Sequence, residues 1–303
     1  MVQVNKIGTY AGHRDCVYVL EKSGEQNRFF SAAGDGMVVR WDFEHPDQGE
    51  LVAKVDNSVY AMAYVPDKNW LIIGQNFKGL HVVDLVTKAE IRNLHFTEAA
   101  IFDILIAEQQ VFVASGDGKV YAFGLEDLSL KNVFDFSDKS ARCLAYNYHL
   151  GQLAIGYSDH HIRIVENGVL LKEFKAHSNS IFTVCYSPDG AELLSGGRDA
   201  QLKIWDVGNG YIPKETIVAH MYAINHVAFS PEGAYYATAS MDKSVKVWDA
   251  HRHKLLKVID KSRHAGHGTS VNKLLWTDYH NLLVSASDDR SISVWEVQSS
   301  VNS

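Results

Sequence analysis

Apolar and polar residues alternate in short runs through residues 177–206, HSNSIFTVCYSPDGAELLSGGRDAQLKIWD. The runs are Ile181, Val184 and Tyr186, then Leu193 and Leu194, then Leu202, Ile204 and Trp205. Alternation over so few residues predicts strands, because an amphipathic helix would repeat its apolar positions every three or four. Ser187-Pro188-Asp189-Gly190 and Gly196-Gly197-Arg198-Asp199 separate the runs. Gly is expected to supply positive φ there, and Pro and Asp to fix tight turns. Each connection reads as a hairpin.

Aligning the chain on Trp205 exposes a repeat. The equivalent anchors are Trp41, Val83, Phe123, Val165, Trp205, Trp248 and Trp295, at spacings of 42, 40, 42, 40, 43 and 47 residues. Four units begin with His and end with Trp-Asp or Trp-Glu: His13 to Asp42, His177 to Asp206, His220 to Asp249 and His267 to Glu296. Residues 98–108 consist largely of good helix formers, yet the repeat register assigns Ile101 to Ile106 to a strand. The period outranks local propensity, since strand preference depends strongly on context.

A period of this length, with Gly-His early and Trp-Asp late in a four-stranded unit, resembles the WD40 family of β-propellers. The resemblance implies an all-β, seven-bladed propeller spanning 1–303 as one domain. Its blades fall at 11–55, 56–96, 97–136, 137–175, 176–218, 219–260 and 261–298 plus 2–10. VQVNKIGTY at 2–10 sits where VLLKEFK sits before His177, so it is a fourth strand without a blade of its own. The last blade lacks a fourth strand, and the N-terminal strand is expected to supply it, removing an exposed edge.

The resemblance also implies a buried polar set in each regular blade. The sets are His13, Ser31, Asp35 and Trp41; His177, Ser195, Asp199 and Trp205; His220, Thr238, Asp242 and Trp248; and His267, Ser285, Asp289 and Trp295. Where the Trp gives way to Val83, Phe123 or Val165, the Ser/Thr position becomes Ile73, Val113 or Ile155, and the His position becomes Val55, Thr97 or Ser137. Joint loss is expected of buried polar groups that tolerate burial only as a set. Asp117 and Asp159 remain alone, which turn formation would explain. Ser, His and Asp together suggest a hydrolase triad, but a nucleophile must be exposed beside an oxyanion site, whereas these sets recur and end on Trp.

The implied ligand face carries the loop entering each blade and the turn between second and third strands. Residues five after the His position are Tyr18, Tyr60, Phe102, Arg142, Phe182, Asn225 and Asn272. Those before the turn Asp are Gly34, Asn76, Gly116, Ser158, Arg198, Met241 and Asp288, with Phe77 replacing the turn Asp in the second blade. Aromatic and Arg side chains suit contact hot spots. The expected function is a noncatalytic adaptor that binds a protein or peptide carrying acidic and hydrophobic residues. The alternative is a propeller enzyme or small-molecule receptor using a central channel.

Composition narrows this further. With 29 Lys and Arg against 36 Asp and Glu the net charge is −7, and the signs are interspersed. Nucleic-acid binding is therefore not expected. No membrane span or signal peptide is expected, since no long apolar run occurs. Cys16, Cys143 and Cys185 fit neither a disulfide framework nor a Cys-x-x-Cys site, and a cytoplasmic location is expected. No catalytic residue, cofactor or metal is expected. The adjacent His160-His161 should point to opposite strand faces, and the loop between the sixth and seventh blades, with His251, His253, His264 and His267, offers no Asp/Glu-supported cluster. Ser115-Gly116-Asp117-Gly118-Lys119 lacks phosphate-loop spacing and reads as a turn. The chain is expected to be monomeric by itself.

Overall fold

A computed structural model describes residues 2–299; Met1 and residues 300–303, the ends of the expected domain, lie outside the described residues. Strand β1 spans Val2–Ala11. The first sheet is a meander of β2 (Val17–Lys22), β3 (Arg28–Ala33), β4 (Met37–Asp42) and β5 (Glu50–Lys54). The second holds β6 (Val59–Val65), β7 (Trp70–Gln75), β8 (Gly79–Asp84) and β9 (Ala89–Leu94). The third holds β10 (Ile101–Ala107), β11 (Gln110–Ser115), β12 (Lys119–Gly124) and β13 (Leu130–Asp135). The fourth holds β14 (Ala141–Asn147), β15 (Gln152–Tyr157), β16 (His161–Glu166) and β17 (Val169–Lys175). The fifth holds β18 (Ile181–Tyr186), β19 (Glu192–Gly197), β20 (Gln201–Asp206) and β21 (Ile212–Val218). The sixth holds β22 (Ile224–Phe229), β23 (Tyr235–Ser240), β24 (Val245–Asp249) and β25 (Leu255–Ile259).

The seventh sheet contains β26 (Val271–Trp276), β27 (Leu282–Ser287) and β28 (Ser291–Ser299), and its fourth strand is β1. The pairing is antiparallel, from Val2 opposite Ser299 to Ala11 opposite Ser291. Segments at opposite ends of the sequence thus share one ladder, as the sequence predicts. Within residues 98–108, Ile101–Ala107 form strand β10 rather than a helix, because Ile101 and Ile104 are needed in a core with Val111 and Val113.

Two compact units divide the strands. One comprises residues 1–59 and 225–303, the other 60–224. In the first, Tyr10, Val17, Phe29 and Trp41 pack with Leu282, Val284 and Ile292, while Val2 and Val4 join Ile259, Leu274 and Trp295. In the second, apolar clusters fill the spaces between consecutive sheets: Cys143, Ile162, Ile164, Ile181 and Trp205 form one of them.

Two expectations about connections change. Gly196 and Gly197 lie inside β19 rather than supplying positive φ, and the left-handed residue of that turn is Ala200 at φ 62°. A Cβ on Gly197 would lie 2.1 Å from the Ser180 carbonyl oxygen, so close backbone approach explains the glycine. His160 is not on a strand but is the left-handed turn residue, at φ 77°. The long connection before the seventh sheet contains a helical turn, α1 (Lys261–His264), capped where the Asp260 side chain accepts a hydrogen bond from the Arg263 N–H.

Candidate functional site

In three sheets the polar set forms one directed chain. The Trp205 indole N–H donates to Ser195 Oγ at 2.9 Å, His177 Nε2 lies 2.8 Å from the same oxygen, and His177 Nδ1 lies 2.9 Å from Asp199. The corresponding distances are 2.7, 2.7 and 3.4 Å for Trp41, Ser31, His13 and Asp35, and 2.8, 2.9 and 2.9 Å for Trp295, Ser285, His267 and Asp289. One proton assignment satisfies every member: the serine accepts from the indole and donates to Nε2, leaving Nδ1–H for the carboxylate. Burial alone would raise the Asp199 pKa, but the His177 hydrogen bond and charge, with the N–H groups of Ser178 and Gln201, bring it down to about 2. In the sixth sheet Trp248 donates to Thr238 at 3.0 Å, His220 is buried, and Asp242 accepts from the Ser244 N–H.

Asp117 and Asp159 are not left alone. Asp117 accepts from the Thr97 and Tyr121 hydroxyls at 3.1 and 2.7 Å, and Asp159 from Ser137 at 2.7 Å and Arg163 at 2.8 Å. A hydroxyl therefore stands where the other blades use imidazole. The aspartates also hold their turns by accepting from the N–H two residues on, in Lys119 and His161.

These sets are structural in their geometry. The Ser31, Ser195 and Ser285 side chains are fully buried and already accept from an indole, so none is accessible as a nucleophile. Ser195→Ala is expected to cost about 1 to 3 kcal/mol by leaving His177 and Trp205 unsatisfied. Ile155→Val, which removes one buried methylene-sized group, should cost ~0.5 to 1.5 kcal/mol. Chemical denaturation of both variants checks the order, and a neutral Ser195→Ala would contradict the network.

The positions expected to face a partner share a backbone device that sequence reasoning did not find. In β2, β10, β14, β18 and β26 the register shifts across Tyr18, Phe102, Arg142, Phe182 and Asn272 respectively. Each is the unpaired residue of a β-bulge, a feature that bends the strand and re-aims a side chain. Just beside it, the N–H groups of Gly34, Gly116, Ser158, Arg198 and Asp288 donate to the carbonyls of Cys16, Ala100, Ser140, Ser180 and Ser270. This second bond brings the two expected sets of residues together in each of those sheets.

Within the unit 60–224 the bulge residues Phe102, Arg142 and Phe182 build a continuous stack with Tyr60 of β6. The Tyr60 and Phe102 rings are parallel to within 1°, with centroids 6.2 Å apart. The Arg142 guanidinium carbon lies 3.8 Å from the Phe102 centroid and 5.0 Å from that of Phe182. Gly116 leaves room for the Phe102 ring edge, since a Cβ there would lie 3.4 Å from it. Cation–π contacts of this kind contribute about 0.5 to 2 kcal/mol each. Arg142 Nε is buried without a hydrogen-bond partner, and no carboxylate among the described residues pairs with the guanidinium. Burial lowers its pKa, with Cys143 and Tyr60 opposing, yet a guanidinium stays charged at neutral pH. Asp103 on the adjoining sheet is directed elsewhere, accepting from the Leu144 N–H at 2.8 Å.

The amide positions serve the scaffold. Asn76 is buried and its Oδ1 accepts from the Ile101 N–H. Asn225 Nδ2 donates to the Val271 carbonyl, and Asn272 Nδ2 to the Val17 carbonyl and to Asp288. Tyr18 and Met241 lie in the unit 1–59 and 225–303, Met241 exposed. Arg198 is exposed. Phe77, at φ 68°, presents an exposed ring; the signal for it was an aromatic in the turn position of Asp. Asp42, Glu44 and His45 offer ligand atoms within 4.8 Å of one another, but Asp42 Oδ1 already accepts from the Glu44 N–H in a turn.

Seven four-stranded sheets, the last completed by the first strand of the chain, define a seven-bladed β-propeller. The crystal structure of the WD40 β-propeller domain of Doa1 is similar, with a TM-score of 0.86 and 16% identity over 97% of each chain. The WD40 family, described as WD domain, G-beta repeat, matches residues 4–42, 168–206, 212–249 and 259–296, and the chain belongs to it. Periodic tryptophan protein 2 from Saccharomyces cerevisiae (strain ATCC 204508 / S288c) is 24% identical over 208 residues, which are 67% of this chain and 21% of that protein. THO complex subunit 6 homolog from Danio rerio is 24% identical over 177 residues, 49% of this chain and 53% of that one. The chain thus spans about a fifth of the first relative and about half of the second. Propellers of this family typically bind proteins and are generally noncatalytic scaffolds. Among the described residues no helix is long and apolar enough to cross a membrane.

Proposed function

We propose that the protein is a noncatalytic adaptor whose stack of Tyr60, Phe102, Arg142 and Phe182 receives a peptide segment carrying an acidic residue beside a hydrophobic one. The observation that carries this reading is the state of Arg142. Its charge is partly removed from water, its faces are covered by Phe102 and Phe182, and no carboxylate among the described residues neutralises it. A cation so placed gains most from a ligand carboxylate, because a charge-assisted hydrogen bond replaces the water it has lost. The planar fork is also held in one orientation by the rings, so little side-chain entropy remains to be lost on binding. Phe102, Phe182 and Tyr60 then offer rigid apolar area beside the charge.

A subunit of a larger assembly is the role that fits, as the name of the THO complex subunit 6 homolog indicates for that relative. The three cysteines are free thiols, which suits a reducing, cytoplasmic setting. Panning a random peptide library on the purified protein tests the reading. Enriched sequences are expected to share Asp, Glu or a free C-terminal carboxylate next to an apolar residue, and to be lost with Arg142→Glu. Enrichment of basic or purely apolar sequences would contradict it.

A further inference from the structure

Basic residues gather in one stretch of this acidic chain. Residues 251–264 hold Arg252, Lys254, Lys257, Lys261 and Arg263 against a single acid, Asp260. Lys6 joins them from β1, where its ammonium donates to the Ala265 carbonyl at 2.7 Å and lies 5.5 Å from the Trp295 ring centroid. Asp260 is committed to the helical turn: its Oδ1 accepts from the Arg263 N–H and the Ser262 hydroxyl, and its Oδ2 lies 3.6 Å from Arg263 Nε. Lys254, Lys257 and Lys261 form no ion pair among the described residues.

Two of these cations, Lys257 and Arg263, line a groove. Strand β25 is the outer strand of its sheet, bonded only to β24, so its other edge is open to a further strand. A groove of ≈ 290 Å³ runs along that edge, walled by Leu255, Leu256, Lys257 and Val258 on one side and by Arg263 and His264 of α1 on the other. Leu255 is 39% exposed. His264 Nδ1 is buried in this wall without a hydrogen-bond partner. Burial and the Lys257 charge lower the His264 pKa, Asp260 opposes and Arg263 adds to the lowering, so the imidazole senses the positive potential around it.

We infer that the groove between β25 and α1 is a second docking site, which takes an extended acidic peptide of a partner protein by edge-strand addition. The open edge supplies backbone donors and acceptors, and the apolar residues of β25 give purchase to alternate side chains. Lys257 and Arg263 provide charge complementarity within the groove, and Lys257 has no ion-pair partner among the described residues. The groove follows four consecutive strand residues, which matches the shape of a peptide strand better than that of a flat membrane surface. This inference is independent of the Arg142 stack.

Fluorescence anisotropy with a capped, labelled peptide of alternating Glu and Val, about eight residues long, tests it. Wild-type protein is expected to bind this probe, with affinity falling as salt rises through the physiological range. The double variant Lys257→Glu/Arg263→Glu, both exposed or half-exposed positions, should weaken binding at least about tenfold without a change in melting temperature. Because the Glu–Val pairs of the probe would also suit the Arg142 stack, each comparison is repeated on an Arg142→Gln background, where binding by this groove should persist and be abolished by methylating alternate backbone nitrogens of the probe. Failure of the wild type to bind, equal binding by the double variant, or equal binding by the methylated probe would overturn the proposal. So would binding to phosphatidylserine vesicles in place of the peptide.

Discussion

Deleting residues 1–10 is expected to cost the protein most of its stability. Strand β1 contributes the outer ladder of the seventh sheet, paired from Val2 to Ala11 with β28. Val2, Val4 and Tyr10 are buried, and Tyr10 packs edge-on against Phe29 and Trp41 at centroid separations of 5.5 and 5.7 Å while donating to the Phe43 carbonyl. Each such side chain contributes about 1.5 to 3 kcal/mol by burial, against a total stability on the order of 5 to 15 kcal/mol for a folded protein. The loss also uncovers one edge of β28 and the core that β1 seals, a template for aggregation. Thermal unfolding followed by circular dichroism should show a melting temperature lower by about 10 °C or more, with light scattering above the transition. An unchanged transition would mean that β1 is dispensable.

The second large effect belongs to the stack. Phe102→Ala and Phe182→Ala are each expected to weaken a captured acidic–hydrophobic peptide at least about tenfold, since central aromatic anchors commonly cost 2 kcal/mol or more on truncation. Either change also removes one of the two faces that hold the Arg142 guanidinium. The double variant should therefore lose more than the peptide's apolar contact alone. Both rings are only half-buried and come from bulge positions, so the melting temperature should stay within a few degrees of wild type. Full binding by the double variant would place the site elsewhere.

The repeat and its strands were legible because burial imposes a period on the sequence. Trp41, Trp205, Trp248 and Trp295 mark it where polar sets survive, and Val83, Phe123 and Val165 keep the register where they do not. Strand β10 shows the limit of local reading: its residues favour helix, and only the repeat assigns them to a sheet. Gly196 and Gly197 misled because glycine answers two different demands, positive φ and close backbone approach, and only the position of Ser180 tells them apart. The hydroxyl partners of Asp117 were hidden for a related reason. Thr97, in the loop before β10, and Tyr121, on β12, replace imidazole by reaching the same carboxylate from different elements, which no spacing rule describes. The rim residues could be aligned from the sequence, but the bulges that re-aim them, and the sandwiching of Arg142, depend on contacts between sheets some 40 residues apart.

A double-mutant cycle tests the central claim most directly. Binding of a panned acidic peptide and its Asp→Asn or Glu→Gln counterpart is measured by titration calorimetry to wild-type protein and to Arg142→Gln. If Arg142 receives the ligand carboxylate between Phe102 and Phe182, the two changes should be coupled by about 1.5 kcal/mol or more, as close charge pairs at interfaces are. Additive losses, with a coupling near zero, would show that the carboxylate binds elsewhere and that the unpaired guanidinium is not the receptor.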